Sequence, residues 1–350
     1  MKRIFNLVIS TLILIMNMSL RGVLGLCRSS LLITGDCFVG KTKNPPRKDM
    51  LRVVVISTLI LATFFLTACG SVPKRSGGAL RVLASTTFLA DITQNIAGDR
   101  VKVDSLLPFG ADPHSYQAAP VDVVKISKSD LLILNGLEYE SFIKSLLDAQ
   151  RAGSERMIIE ATSGISPRKD AGSEQGADPH MWLDPNLVVT YVENIRDGLI
   201  KVDAKGAGTY KANADAYIAQ LKSLDAWIVE QVNIIPPGRR LLVTNHEALG
   251  YFAERYGFEV TGSVIPSFSS NAAPSAREMA RLIDAIKKIN APIIFLDVAD
   301  NNTLAQQIGD ETNVRIIDDL HLESLTSGPP ASTYIDMMKY NVTRIVEALK

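Results

Sequence analysis

Eight short runs rich in branched and apolar residues, at 80–84, 101–107, 131–134, 157–160, 241–243, 259–264, 293–296 and 314–317, alternate with helical stretches. That alternation constrains the fold more than any other feature. Helical patterns at 88–96, 120–128, 139–149 and 276–288 fall between the runs. Strands that alternate with helices pair in parallel and are covered on both faces. Sheets of this kind hold their ligands beyond the strand C-termini. The runs form two groups. Between the groups, apolar residues recur at Tyr210, Tyr217, Leu221, Leu224, Ile228 and Val232, a helical spacing, and Pro236-Pro237-Gly238 stops the pattern. The competing reading is a surface helix confined to one domain. The expected architecture is α/β: two βα lobes with parallel sheets joined by one long interlobe helix, with a metal site in the cleft. The expected divisions are an N-terminal lobe at 79–205, a linking helix at 206–233 and a C-terminal lobe at 234–350.

The metal enters through histidine. The chain has four histidines. Two lie in a repeated tetrapeptide, Ala-Asp-Pro-His, at 111–114 and 177–180. The others are His246 and His321, the latter two residues before Glu323. Neutral imidazole is the commonest side-chain ligand for zinc and its neighbours. Proline stiffens each Asp-Pro-His corner, and the aspartate is placed to accept the second N–H of a metal-bound ring. Asp-Pro is also a common turn dipeptide, but the duplication weakens that blander reading. His114, His246 and His321 each follow a strand end, where an interlobe ligand is expected, and His180 precedes a helical stretch at 186–199. Glu247, beside His246, suggests a general base, but the HExxH spacing of metallohydrolases is absent. Trp182 and Tyr251 are assigned to the core rather than the cleft.

The N-terminal part sets the compartment. Residues 51–68 are almost wholly apolar, are flanked by Arg47, Lys48 and Arg52, and end in Leu66-Thr67-Ala68-Cys69-Gly70. This is the pattern of a secretory signal. Small residues followed by cysteine resemble a bacterial lipobox, which implies cleavage before Cys69 and diacylglycerol on its sulfur. Residues 50–68 are thus expected to be a lipoprotein signal peptide and 69–78 a flexible tether. The string VISTLIL occurs at 8–14 and again at 55–61. Two export signals in series make little physical sense, so Met50 is the expected start and 1–49 an over-extended leader; a membrane anchor is the alternative. Cys27 and Cys37 fall in that leader, and no cysteine follows Cys69. The remainder therefore has neither a disulfide framework nor a thiolate metal site. Lysine plus arginine equals aspartate plus glutamate at 37 each, which argues against nucleic acid as a partner.

From about residue 80 to 350 the chain resembles a known family, the metal-binding lipoproteins of zinc and manganese ABC importers in the cluster with one rigid interlobe helix (cluster A-I). The resemblance is carried by Pro108-Phe109-Gly110-Ala111-Asp112-Pro113-His114-Ser115-Tyr116 and by Asn135-Gly136-Leu137-Glu138-Tyr139-Glu140. It continues through Asp178-Pro179-His180-Met181-Trp182-Leu183-Asp184-Pro185, His246-Glu247-Ala248-Leu249-Gly250-Tyr251-Phe252 with Tyr256-Gly257, and Tyr334-Ile335-Asp336-Met337-Met338-Lys339-Tyr340-Asn341. It implies metal ligands at His114, His180 and His246. The family's fourth ligand, usually aspartate, falls here on Glu323, with Asp318, Asp319, His321 or water as competitors. The histidine-rich loop of many zinc-specific members is replaced by a short histidine-free stretch at 163–176. The resemblance implies an exported, lipid-anchored, monomeric binding protein, not an enzyme, that carries Zn²⁺, or alternatively Mn²⁺, to an ABC permease. Three imidazoles and a carboxylate form a closed shell, whereas a hydrolase keeps a position for water. The competing functions are an exported zinc-dependent hydrolase and a surface adhesin involved in cell adhesion through a structural metal.

Overall fold

The computed structural model describes residues 79–151, 156–168, 176–289 and 293–350. The leader, signal and tether expected at 1–78, with Cys69, lie outside the described residues. Strands β1 (Val82–Ala84), β2 (Val103–Ser105), β3 (Leu131–Leu134) and β4 (Met157–Glu160) form one parallel sheet in the order β2-β1-β3-β4. Strands β5 (Leu241–Thr244), β6 (Glu259–Ser263), β7 (Ile293–Asp297) and β8 (Arg315–Leu320) form a second in the order β6-β5-β7-β8. The two halves thus repeat one strand order. In each, the order reverses between the first and third strands, the place where such sheets open a ligand crevice.

The first half carries helices α1 (Thr87–Ala97), α2 (Pro120–Lys128), α3 (Lys144–Arg151) and α4 (Pro185–Val202). Helix α5 (Ala207–Val232) follows, and the second half carries α6 (Gly250–Tyr256), α7 (Ala276–Ile289), α8 (Thr303–Thr312) and α9 (Tyr334–Leu349). Among the described residues no helix is long and apolar enough to cross a membrane.

Period-two alternation decides which face of each strand meets which core. Val82, Ala84, Leu131 and Ile133 face one core, while Leu83, Leu132 and Leu134 face a separate cluster that includes Ile126 of α2 and Leu147 of α3. In the second sheet Leu242, Ile293 and Phe295 face the first core, and Val243, Ile294 and Leu296 face a cluster with Leu282 of α7 and Ile308 of α8. One hydrophobic core therefore lies between the sheets and joins both halves. Helix α5 runs through it. Over 26 residues it buries Tyr210, Ala214, Tyr217, Leu221, Leu224, Ile228 and Val232, and it packs on α1 and α4 of the first half and α9 of the second. The helical spacing read at 206–233 is this buried stripe.

The helical stretch expected from 139 begins differently. Gly136, Leu137 and Glu138 have φ of 94°, 57° and 62°, so the chain turns through left-handed geometry before a 3₁₀ turn at Ser141–Ile143 leads into α3. The run at 101–107 contributes only Val103–Ser105 to the sheet. Leu106 and Leu107 still donate their N–H groups to Ala84 and Ser85 at 2.8 and 3.1 Å, which carries the chain toward the cleft.

Candidate metal centre

The two Asp-Pro-His corners fold alike. The Asp112 carboxylate accepts the His114 N–H at 2.8 Å, and Asp178 accepts the His180 N–H at 3.0 Å. These are local turns of the kind that aspartate favours. The corners differ in their second bond. Asp178 also lies 2.8 Å from His180 Nδ1, whereas Asp112 accepts the Ser270 hydroxyl of the other half at 2.8 Å. His246 follows β5, where the Thr244 hydroxyl donates to its carbonyl at 2.6 Å. Glu323 follows β8. The backbone N–H of Glu323 donates at 3.2 Å to Asp297 at the end of β7, and the N–H of Leu322 donates to the same carboxylate oxygen.

These four residues converge. One donor atom from each of His114, His180, His246 and Glu323 lies within 4.8 Å of all the others. Glu323 Oε1 stands 3.6, 3.2 and 3.2 Å from the Nε2 atoms of His114, His180 and His246. Ligand atoms about 2.0 Å from a tetrahedral ion are spaced by about 3.3 Å, so these separations fit such a shell. The side chains are at most 7% exposed. Nε2 of His114 and of His180 is buried with no hydrogen-bond partner. A buried polar atom without a partner is unfavourable, and a cation in the middle of the group would satisfy both.

The surrounding charges polarise the group. Burial opposes charge on His180, but the hydrogen bond to Asp178 and the Glu323 carboxylate 3.2 Å from Nε2 outweigh it and raise its pKa. Burial likewise opposes charge on His246, yet Asp300 and Glu323 push that ring up to about 10. At 3.7 Å from His246 Nδ1, Asp300 acts through its charge rather than as a well-formed hydrogen bond. Burial would raise Glu323, but the three facing imidazoles of His114, His180 and His246 hold it well below the usual carboxylate range. Burial, reinforced by the charge of Asp300, lifts Asp297 to about 7.

The competing fourth-ligand positions stand elsewhere. Asp319 is engaged by Arg344 at 3.0 Å and by the Tyr340 hydroxyl at 2.9 Å. Asp318 is exposed. The His321 ring packs on Tyr340 at 5.4 Å, and burial lowers its pKa. Glu247 stands outside the group of four. Trp182 and Tyr251 are core residues, yet both serve the site. Trp182 Nε1 donates to the Leu322 carbonyl at 2.7 Å, and the Tyr251 hydroxyl donates to the Asp178 carbonyl at 2.9 Å.

Sequence reasoning passed over several supporting residues. Asp297 and Asp300 close and follow the run at 293–296, and the strand-end rule that located the histidines points to them equally. Tyr139 lies inside the motif at 135–140, but its hydroxyl donates to Glu323 Oε2 at 2.5 Å, a contact between distant parts of the chain. Arg168, in the histidine-free stretch, pairs with Asp178 at 3.1 Å and with Glu254 at 3.0 Å.

Two parallel-sheet halves around one shared core, with a buried His₃-carboxylate group, define a metal-binding protein of the solute-binding class. The family model for ZnuA, the periplasmic component A of the zinc-uptake complex, matches residues 82–348. The manganese-binding lipoprotein MntA of Halalkalibacterium halodurans is 33% identical over 307 residues, covering 85% of this chain and 99% of that protein. The periplasmic zinc-binding protein TroA of Treponema pallidum superposes with a TM-score of 0.72 at 30% identity, covering 78% of this chain and 99% of that one. The Mn-bound periplasmic metal-binding protein of Candidatus Liberibacter asiaticus gives a TM-score of 0.69 at 30% identity, covering 77% and 100%. The chain belongs to the ZnuA family, whose members are substrate-binding components of metal uptake rather than enzymes.

Proposed function

We propose that this protein captures Zn²⁺ outside the cytoplasm, with His114, His180, His246 and Glu323 as its ligands, and delivers it to the permease of an ABC importer. The observation that carries this reading is the buried group itself, with two imidazole nitrogens that have no other partner. Three nitrogen donors and one oxygen suit zinc, whereas manganese favours oxygen-rich, higher-coordinate sites. Mn²⁺ is the second reading, favoured by the manganese-binding relative.

His114 and His180 belong to the first half of the chain and His246 and Glu323 to the second, so a bound ion would tie the halves together. The buried stripe of α5 supports an opening limited to small lobe or loop shifts. The divisions at 79–205, 206–233 and 234–350 are part of the proposal, as are the monomeric state and the lipid on Cys69. Several acyl chains hold a protein to a membrane where one alone binds only marginally. The test of the ligand set is elemental analysis of protein purified without added metal or an affinity tag. About one equivalent of zinc is expected for a four-ligand site, and none in the triple variant His114→Ala, His180→Ala, His246→Ala. Stoichiometric zinc in the triple variant would overturn the ligand assignment.

A further inference from the structure

We propose that Tyr139 is a specificity-determining residue, which holds Glu323 to one-oxygen coordination so that the site presents four donors and favours Zn²⁺ over ions that seek more. The inference rests on the ligand assignment proposed above and adds to it the reason for the metal preference.

The carboxylate of Glu323 is divided between two tasks. Oε1 faces the three imidazoles at 3.2 to 3.6 Å, while Oε2 accepts the Tyr139 hydroxyl at 2.5 Å. A hydroxyl bonded to an anionic oxygen at this distance makes one of the stronger hydrogen bonds available to a protein.

Each partner is also held from another side. The backbone of Glu323 is held by Asp297. The Tyr139 ring stands edge-on to His114 with centroids 5.5 Å apart and rests on Trp182 at 4.9 Å. Its backbone leaves a run of three left-handed residues, of which Leu137 and Glu138 are not glycine. Such geometry is uncommon and persists where the surroundings over-determine it. Here the surroundings are the buried Glu140 carboxylate, which accepts the Ser85 hydroxyl at 2.7 Å and the N–H groups of Asn135 and Gly136 at 2.6 and 3.1 Å. The strained turn thus fixes the hydroxyl against one particular oxygen.

The consequence for metal choice is direct. Zn²⁺ is content with four tetrahedral donors. Mn²⁺ seeks a larger, oxygen-rich shell, and the nearest additional oxygen is Oε2 of the same carboxylate. Turning it to the ion breaks a buried, charge-assisted hydrogen bond, a penalty on the order of tenfold or more in affinity. Zinc does not incur it.

The test is Tyr139→Phe, which removes one hydroxyl and keeps the ring. Dissociation constants for Zn²⁺ and Mn²⁺ are measured by chelator competition, and coordination numbers by X-ray absorption at the zinc edge. Wild-type protein is expected to show three nitrogens and one oxygen around zinc. In Tyr139→Phe the zinc-to-manganese affinity ratio should fall on the order of tenfold, chiefly through tighter manganese binding. A ratio unchanged within about twofold, smaller than the loss of any one such bond, would overturn the proposal. So would a wild-type zinc shell in which both Glu323 oxygens bind, a result that needs no variant to fold. The triple histidine variant separates the two readings. If it keeps its metal, the ligand assignment fails and this inference with it. If it loses the metal while Tyr139→Phe leaves the ratio alone, only the role of Tyr139 fails.

Discussion

Replacing Asp178 by asparagine keeps the size of the side chain and removes the charge that orients His180. Both residues are fully buried, Asp178 Oδ1 lies 2.8 Å from Nδ1 of the ring, and the same oxygen accepts the His180 N–H at 3.0 Å. A carboxylate in this position fixes the tautomer so that Nε2 presents its lone pair to the ion, and loss of such support lowers metal affinity by about 10- to 100-fold, or about 1.4 to 2.7 kcal/mol. His246 supplies the internal comparison. The carboxylate beside its Nδ1, that of Asp300, is 3.7 Å away, too far for a good hydrogen bond, so Asp300→Asn should cost less than about tenfold. Gly250→Ala approaches the same bond from the other side. A Cβ there would lie 1.6 Å from Arg168 Nη1 and would push the guanidinium off Asp178, weakening binding in the same direction by a smaller factor. Chelator-competition titration reads all three, with the metal-free melting temperature reporting that each variant is folded. Asp178→Asn binding zinc as tightly as wild type, or Asp300→Asn losing as much as Asp178→Asn, would refute the hydrogen-bond argument.

Three further outcomes are expected. Chelation of the metal should lower the melting temperature without abolishing cooperative unfolding, because the core shared by the sheets does not depend on the ion; mass action contributes about 2.7 kcal/mol at a free ion concentration of 100 Kd, and loss of near-ultraviolet dichroism on chelation would instead indicate a structural metal. With His246 raised to about 10 and His180 also raised, the metal-free site holds protons at neutral pH that zinc must displace, so affinity should fall as pH drops, beginning above neutrality. The sign for the metal-free fold is the reverse, since a raised histidine stabilises fully below its unfolded pKa of about 6.5 and loses that contribution as pH rises toward 10; affinity and denaturant midpoints measured from pH 6 to 9 check both. Leu221→Ala removes a fully buried side chain from the middle of α5 and should destabilise the fold by about 2 to 5 kcal/mol, read by urea denaturation, while leaving the metal stoichiometry at one.

Much of this molecule could be read before its structure, for identifiable reasons. Parallel strands buried on both faces, such as 131–134 and 293–296, are compact apolar runs that stand out from their surroundings. The α5 stripe keeps a clean helical period because it meets helices along its length. The histidines of the candidate site are legible because histidine is scarce in this chain and because Asp-Pro-His recurs. What escaped were contacts that depend on the fold rather than on local sequence. Tyr139 and Glu323 are 184 residues apart, and the left-handed turn that aims the tyrosine includes Leu137 and Glu138, residues that carry no turn signal. For the fourth position the sequence offers only a short segment, because a strand end brings several carboxylates near a cleft; in the structure Glu323 joins the three imidazoles, whereas Asp318 and Asp319 do not.

The central claim is that these four side chains bind one ion together, and anomalous diffraction from crystals of the zinc-loaded protein tests it most directly. One zinc peak is expected about 2.0 to 2.2 Å from Nε2 of His114, His180 and His246 and from one oxygen of Glu323, with no second site of comparable occupancy. A peak elsewhere, or a fourth position filled by Asp318, Asp319, His321 or water while Glu323 points away, would contradict it.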